Sequence, residues 1–231
     1  MTLISIRQPG YFPYMGLFKK IQSSDIFVFF DDVQYAIRSW DNRNKIAHND
    51  GGIWISVPVI KPFKKLLNEV NISSENWNIK HIKMMKDSYQ NTPYFDDYWN
   101  DIEFILNKKW TKLIDLNLTL IQHFMKILGI TTKTVKSSEL GVTGNSSQKL
   151  LNICKKLNSD CYLSGIMGKE YLDEDLFHNA GIQVIYEKFI HPKYSQISNK
   201  FIPNLSIVDL LFNEGENSKS IIENSKNILS D

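Results

Sequence analysis

The sequence predicts an α/β fold built on a mainly parallel, Rossmann-like sheet of the nucleotide-binding type, with a helical insertion or cap. Three observations predict it. The first 32 residues read as strand, turn, helix, strand. The run IFVFF at 26–30 is apolar without alternation, the pattern of a strand covered on both faces as in a parallel sheet. Between 74 and 130 the apolar period becomes helical over a stretch too long to be a loop.

Each element follows in order. TLISIRQP is a short β-run ended by Pro9, and the second half of GYFPYMGLFKKIQSSD puts Leu17, Phe18 and Ile21 on one helical face. The strand IFVFF ends on Asp31 and Asp32. Residues 34–52 are polar and turn-rich, and Asp50-Gly51-Gly52 suits a hairpin turn between KIAH and the strand WISVPV at 54–59. Helices are expected from Trp77 to Tyr89, Tyr94 to Leu106 and Leu113 to Leu128, with Gly129 stopping the last. KTVKSSEL restarts the α/β pattern, Gly-Asn-Ser-Ser can cap the helix SQKLLNICKKL, and CYLSG at 161–165 is the next strand. A loop and helix in IMGKEYLDEDLFHNAG, the strand IQVIYEKF and a helix within FIPNLSIVDLLFNEG complete the core. The expected units are 1–72 and 131–215 as the two parts of the α/β core, 73–130 as the helical cap, and 216–231 as a frayed polar tail.

Composition bounds the function class. The 231 residues carry Lys+Arg 27 against Asp+Glu 25, a formal charge of +2, which argues against general nucleic-acid binding. There is no apolar run of membrane-span length, and the N-terminus lacks the plan of a signal peptide, so a cytoplasmic protein is expected. Cys154 and Cys161 read as small buried hydrophobes, and no Cys/His cluster suggests a metal. Neither a P-loop nor a nucleophile elbow is present.

The basic residues are lopsided: only Arg7, Arg38 and Arg43 are arginine, all in the first fifth of the chain. In a lysine-rich chain, a retained arginine points to a need for a planar, bidentate donor to carboxylate or phosphate. Arg38 and Arg43 flank the polar loop after the aspartate pair, where they could hold a ligand or tie the loop to Asp31, Asp32 or Asp41. One of Asp31 and Asp32 is expected to face a pocket, with the other capping. The rigid turn Gln8-Pro9-Gly10-Tyr11-Phe12-Pro13 offers Gln8 and the aromatic Tyr11 to a sugar face, or else plugs helix against sheet. After the strand CYLSG, Ser164, Lys169 and Tyr171 could meet a phosphate or hydroxyl. His191, in the Pro-stiffened HPKY, is the histidine best placed as a general base, whereas His48, His81, His123 and His178 are assigned to helix or hairpin surfaces.

With these stretches in order, the chain resembles the WbqC-like family of bacterial surface-polysaccharide gene clusters. The matching segments include ISIRQPGYFPYMGLFKKI, DIFVFFDDVQY, RSWDNRNKI, DSYQNTPYF, CYLSGIMGKEYLDEDLF, HPKY and FIPNLSIVDLLFNEG, spread over residues 3 to 215. Arg7-Gln8-Pro9 stands where the family pattern commonly has His before Pro, and Ile166-Met167-Gly168 where it often has Pro-Gly-Gly. The resemblance implies an N-acyl or aminoacyl (glycyl included) transferase acting on a nucleotide-linked amino sugar for O-antigen or related polysaccharide. His191, Asp31 and Asp32 are its catalytic candidates. The substrate-binding candidates are Gln8, Tyr11, Arg38, Asn42, Arg43, Ser164, Lys169, Tyr171, Tyr194 and Asn204. No tightly bound cofactor is expected; the acyl donor would ride on coenzyme A or a carrier protein. The alternatives are a nucleotidyltransferase-like enzyme and a non-catalytic scaffold for a carrier protein or biosynthetic partner.

Overall fold

A computed structural model describes residues 1–49, 51–73, 76–198 and 200–230. Asp50 of the expected hairpin turn, and Ser74 at the expected start of the helical stretch, lie outside them. Six strands form the central sheet: β1 (Leu3–Arg7), β2 (Ile26–Phe29), β5 (Lys133–Lys136), β6 (Cys161–Gly165), β7 (Gln183–Ile190) and β8 (Lys226–Ser230). Their spatial order is β5-β2-β1-β6-β7-β8, and all neighbours run parallel except β7 and β8. β3 (Arg43–His48) and β4 (Gly51–Ser56) make a separate antiparallel hairpin. This strand ends at Ser56, short of the expected Val59: Val57 N–H still donates to the Asn42 carbonyl in register, but Pro58 has no N–H to extend the ladder.

The apolar run in β2 is covered on both sides. Phe27 and Phe29 point into one core, and Val28 points into a second with Ile4, Ile6 and Tyr162. α5 (Ser146–Lys156) and α6 (Glu174–His178) close that second face through Leu150, Ile153 and Phe177. On the first face lie α1 (Met15–Gln22), which buries Leu17, Phe18 and Ile21, and the helical insertion. Its helices are α2 (Trp77–Tyr89), α3 (Phe95–Asn107) and α4 (Leu113–Ile127). They share one core with α1, the hairpin and α7 (Ile207–Glu214). Cys154 and Cys161 are buried free thiols, and burial pushes Cys154 up to about 12. Among the described residues, no helix is long and apolar enough to cross a membrane, and no group of three or more His, Cys, Asp or Glu could hold a metal ion.

The strand order fixes where the sheet opens. From β1 the chain moves to β2 and β5 on one side, then returns to β6 and β7 on the other. The switch point therefore lies between β1 and β6, and the crevice at their C-terminal ends is the place an open α/β sheet offers to a ligand.

The polar tail is a correction. Instead of fraying, residues 216–230 form α8 (Asn217–Glu223) and the edge strand β8. Ile222 is buried in the first core, and Asn227 donates to Glu187 Oε2 at 2.8 Å. The composition hid this because one buried isoleucine and a short edge ladder suffice. Truncation after Gly215 should lower the melting temperature by roughly 5–10 °C, from about 2–3 kcal/mol of lost burial. A calorimetric melt unchanged by that truncation would show that the tail adds nothing.

Candidate functional site at the strand ends

Two connected cavities occupy the crevice, of about 470 Å³ and about 830 Å³. Arg7, Gln8, Tyr14 and Asn204 line both and form the waist between them. Arg7 ends β1, and its guanidinium stands 5.8 Å from the Tyr14 ring centroid. Among the described residues, no carboxylate lies within 4.0 Å of it. Tyr14 can fold into the waist because Gly16, two residues on, has no Cβ to collide with the tyrosine ring.

The smaller cavity is walled by Trp40, Asp41, Asn44 and Lys45 as well as the proline-rich turn. Asp41 is buried at 3% exposure, and burial raises its carboxyl above the usual range. The Ser39 hydroxyl, the Ala36 amide and Arg7 offset that shift in part. The larger cavity is lined by Ser164 to Gly168, Tyr171, Phe30 and the buried pair Lys20–Glu187, whose ammonium and carboxylate meet at 2.6 Å. Burial lowers Lys20, Glu187 opposes the shift, and Arg7 adds to it.

Buried asparagines hold these walls. Asn117 on α4 is fully buried, and its Nδ2 donates to the Pro9 carbonyl at 2.9 Å and the Asp41 carbonyl at 2.7 Å. Tyr11 N–H donates to the Trp40 carbonyl, and a Cβ on Gly10 would lie 2.8 Å from that oxygen. Asn44 donates to the Phe12 carbonyl at 2.6 Å. The turn, the loop at 39–41 and the hairpin are thus tied to one another behind the cavity they wall. On the far rim, Tyr194 and Gln196 donate to Asp209 Oδ2, which pins the loop that carries Pro203 and Asn204.

The family assignment follows from comparison with known proteins. The WbqC-like protein family matches residues 8–221. The chain belongs to that family. It is also similar to the uncharacterized protein Rv1507c of Mycobacterium tuberculosis, 32% identical over 219 residues, covering 93% of this chain and 95% of the relative. No solved structure matches.

Of the residues expected to form the WbqC-like site, the crevice gathers Gln8, Ser164, Tyr171 and Asn204. The others go elsewhere. Tyr11 is fully buried and bonds His81 Nδ1 at 2.9 Å, so it is the packing plug and offers no face to a sugar. Asp31 accepts from Ser137 and Ser138 and caps the turn after β5, while Asp32 pairs with Lys149 at 2.8 Å. Neither lines the crevice; Phe30 and Val33 beside them do. His191 packs among Phe189, Tyr194 and Phe201, with Nδ1 against the Pro192 carbonyl and Nε2 buried. Burial lowers its pKa, and the half-buried ring is not part of the crevice lining. Tyr194 and Asn42 are structural, the latter bonding the Val57 carbonyl. Arg43 stacks 4.4 Å from the Trp54 centroid and donates to the Arg38 carbonyl, which leaves Arg38 on an exposed turn. Lys169 lies 4.8 Å from the Tyr186 centroid, outside the lining.

Sequence reasoning ranked Arg7 below Arg38 and Arg43 as a ligand-binding arginine, and missed Tyr14, Trp40, Asp41 and Lys45. It placed His81 on a surface, yet His81 is 3% exposed and burial lowers its pKa to about 4. A histidine one turn after Trp77 on an apolar face was the available signal.

Two expected outcomes follow. Between the ordinary 6.5 and about 4, the unfolded chain binds a proton that folded His81 refuses, so stability is full above pH 6.5 and is lost as pH falls towards 4. At 1.36 kcal/mol per unit the loss from His81 is about 3 kcal/mol, and His123 and His191 shift the same way. Denaturant melts across that window should show the slope, and His81→Gln should flatten it. Asn117→Leu should cost about 2–4 kcal/mol, because it leaves two buried carbonyls without donors. A melting curve like that of the wild type would show that the clamp is dispensable.

Proposed function

We propose that this WbqC-like protein transfers an acyl or aminoacyl group to the amino group of a nucleotide-linked amino sugar. The observation that carries the reading is a guanidinium with no carboxylate partner among the described residues, at the waist of a two-lobed crevice at the switch point of the sheet. A nucleotide-linked sugar has the same three-part form: an aromatic base, a central diphosphate and a sugar. Arg7 offers a planar, bidentate donor to the diphosphate, with Lys45 and Lys188 adding positive charge along the lining. Tyr14 and Trp40 give flat apolar surface beside it.

For the chemistry, Asp41 replaces His191 as the proton acceptor. The amine attacks the acyl carbonyl carbon, the C–N bond forms and the bond to the thiol or other carrier group breaks. Asp41 takes the amine proton, and the departing group receives it. Burial suits Asp41 to that task, since a carboxylate whose pKa is raised above the usual range is a stronger base than an exposed one.

Isothermal titration with uridine and thymidine diphosphate amino sugars tests the reading. Arg7→Ala should weaken binding by roughly tenfold to a hundredfold, about 1.5–3 kcal/mol, and Arg7→Lys should recover only part of it. Asp41→Asn should keep affinity and lose turnover. If no diphosphate amino sugar binds or raises the melting temperature, the transferase reading falls.

A further inference from the structure

The loops beside the smaller cavity leave an apolar surface uncovered. Loop 33–42 and loop 57–66 are tied to each other at both ends. Gln34 bridges Leu66 and Tyr35 N–H donates to the Lys65 carbonyl, while at the other end Val57 N–H donates to the Asn42 carbonyl. Between these ties, Ile37, Trp40, Ile60, Phe63 and Leu66 project with 37–70% exposure, and Trp54 of the hairpin, 39% exposed, lies 5.2 Å from the Trp40 ring.

Positive charge surrounds this surface. Arg38, Arg43, Lys45, Lys61, Lys64 and Lys65 lie in the same segments, and among the described residues none of them has a carboxylate within 4.0 Å. The described carboxylate in residues 33–66 is Asp41, which is buried. A chain with a net charge of only +2 has therefore gathered six cations around its exposed aromatics. Trp40 and Lys45 belong both to this surface and to the wall of the smaller cavity, so the patch runs into the crevice.

We propose that this patch docks an acidic carrier protein, which presents an acyl thioester on its flexible arm to the crevice. Charge complementarity selects the occupant: carboxylates around an apolar helix face would match cations around Phe63, Trp40 and the aliphatic side chains. A second copy of this chain would set like charge against like. A nucleic acid would use the cations and aromatics but leave Ile37, Ile60 and Leu66 without partners. A lipid surface gives no reason for the patch to enter the crevice. Delivery of the acyl group rests on the transferase reading above; docking itself does not.

The test is a fluorescence-anisotropy titration of labelled bacterial holo-acyl carrier protein with the full chain. Saturable binding in the micromolar range is expected, weakened at least about fivefold between about 50 and 300 mM salt. Lys61→Glu combined with Phe63→Ser and Lys64→Glu should weaken it at least about tenfold. The same triple variant should keep the wild-type melting temperature and the wild-type affinity for diphosphate amino sugars, since none of the three residues lines the crevice. The proposal is overturned by no saturable carrier binding, or by binding that the triple variant retains. It is also overturned if the triple substitution instead abolishes binding of transfer RNA, binding of vesicles rich in anionic lipid, or self-association in sedimentation. Sugar binding without carrier binding would sink this inference alone; carrier binding without sugar binding would sink the transferase reading and leave the docking surface standing.

Discussion

One buried amide holds the crevice together. Asn117 reaches from α4 through the core and donates to two carbonyls, one in the proline-rich turn after β1 and one in the loop that carries Trp40 and Asp41. Inside a low-dielectric core those carbonyls have no water to turn to, so the amide adds to the Tyr11–Trp40 backbone bond in keeping the two loops together. This gives the helical insertion a function within the fold. It packs the first face of the sheet, and it also carries the donor that sets the width of the smaller cavity.

The same reasoning applies to the floor of the larger cavity. Lys20 and Glu187 form an ion pair almost out of solvent, with Asn227 of the edge strand satisfying the second glutamate oxygen. Removing two such charges from water is expensive, and the third partner reduces the cost by filling an acceptor position. The C-terminal strand is thereby coupled to the crevice through the Asn227 amide as well as its ladder with β7, although its own sequence is polar and short.

The sheet was legible in the sequence because its signal is local. Phe27, Val28 and Phe29 have to be apolar in succession when both faces are covered, and a single chain shows that directly. The helices of the insertion were legible for the same reason, within one residue at each end. The site was harder to read, because a residue's role there depends on which groups lie far away in sequence. Asp31 and Asp32 close a buried strand as a ligand-binding pair would, yet two serines more than a hundred positions later and Lys149 take up their oxygens. Tyr11 looked like a platform until α2 brought His81 to its hydroxyl. Nothing between residues 1 and 50 records either partner.

The arginines show how a compositional signal can be right about chemistry and uninformative about place. A guanidinium persists in a lysine-rich chain where planarity matters, and in Arg43 that property is used by stacking: the flat group lies against Trp54 while one amino group bonds the Arg38 carbonyl. An ammonium could not do both. Arg7 has the same planar group but, among the described residues, no carboxylate or protein hydrogen-bond acceptor to spend it on, and it stands where the two cavities meet. A guanidinium exposed at the end of its strand, with no acceptor on it among the described residues, keeps its preference for an anion. The strand order places that preference at the mouth of the sheet, so the anion recognition proposed for the crevice rests on topology and one side chain together.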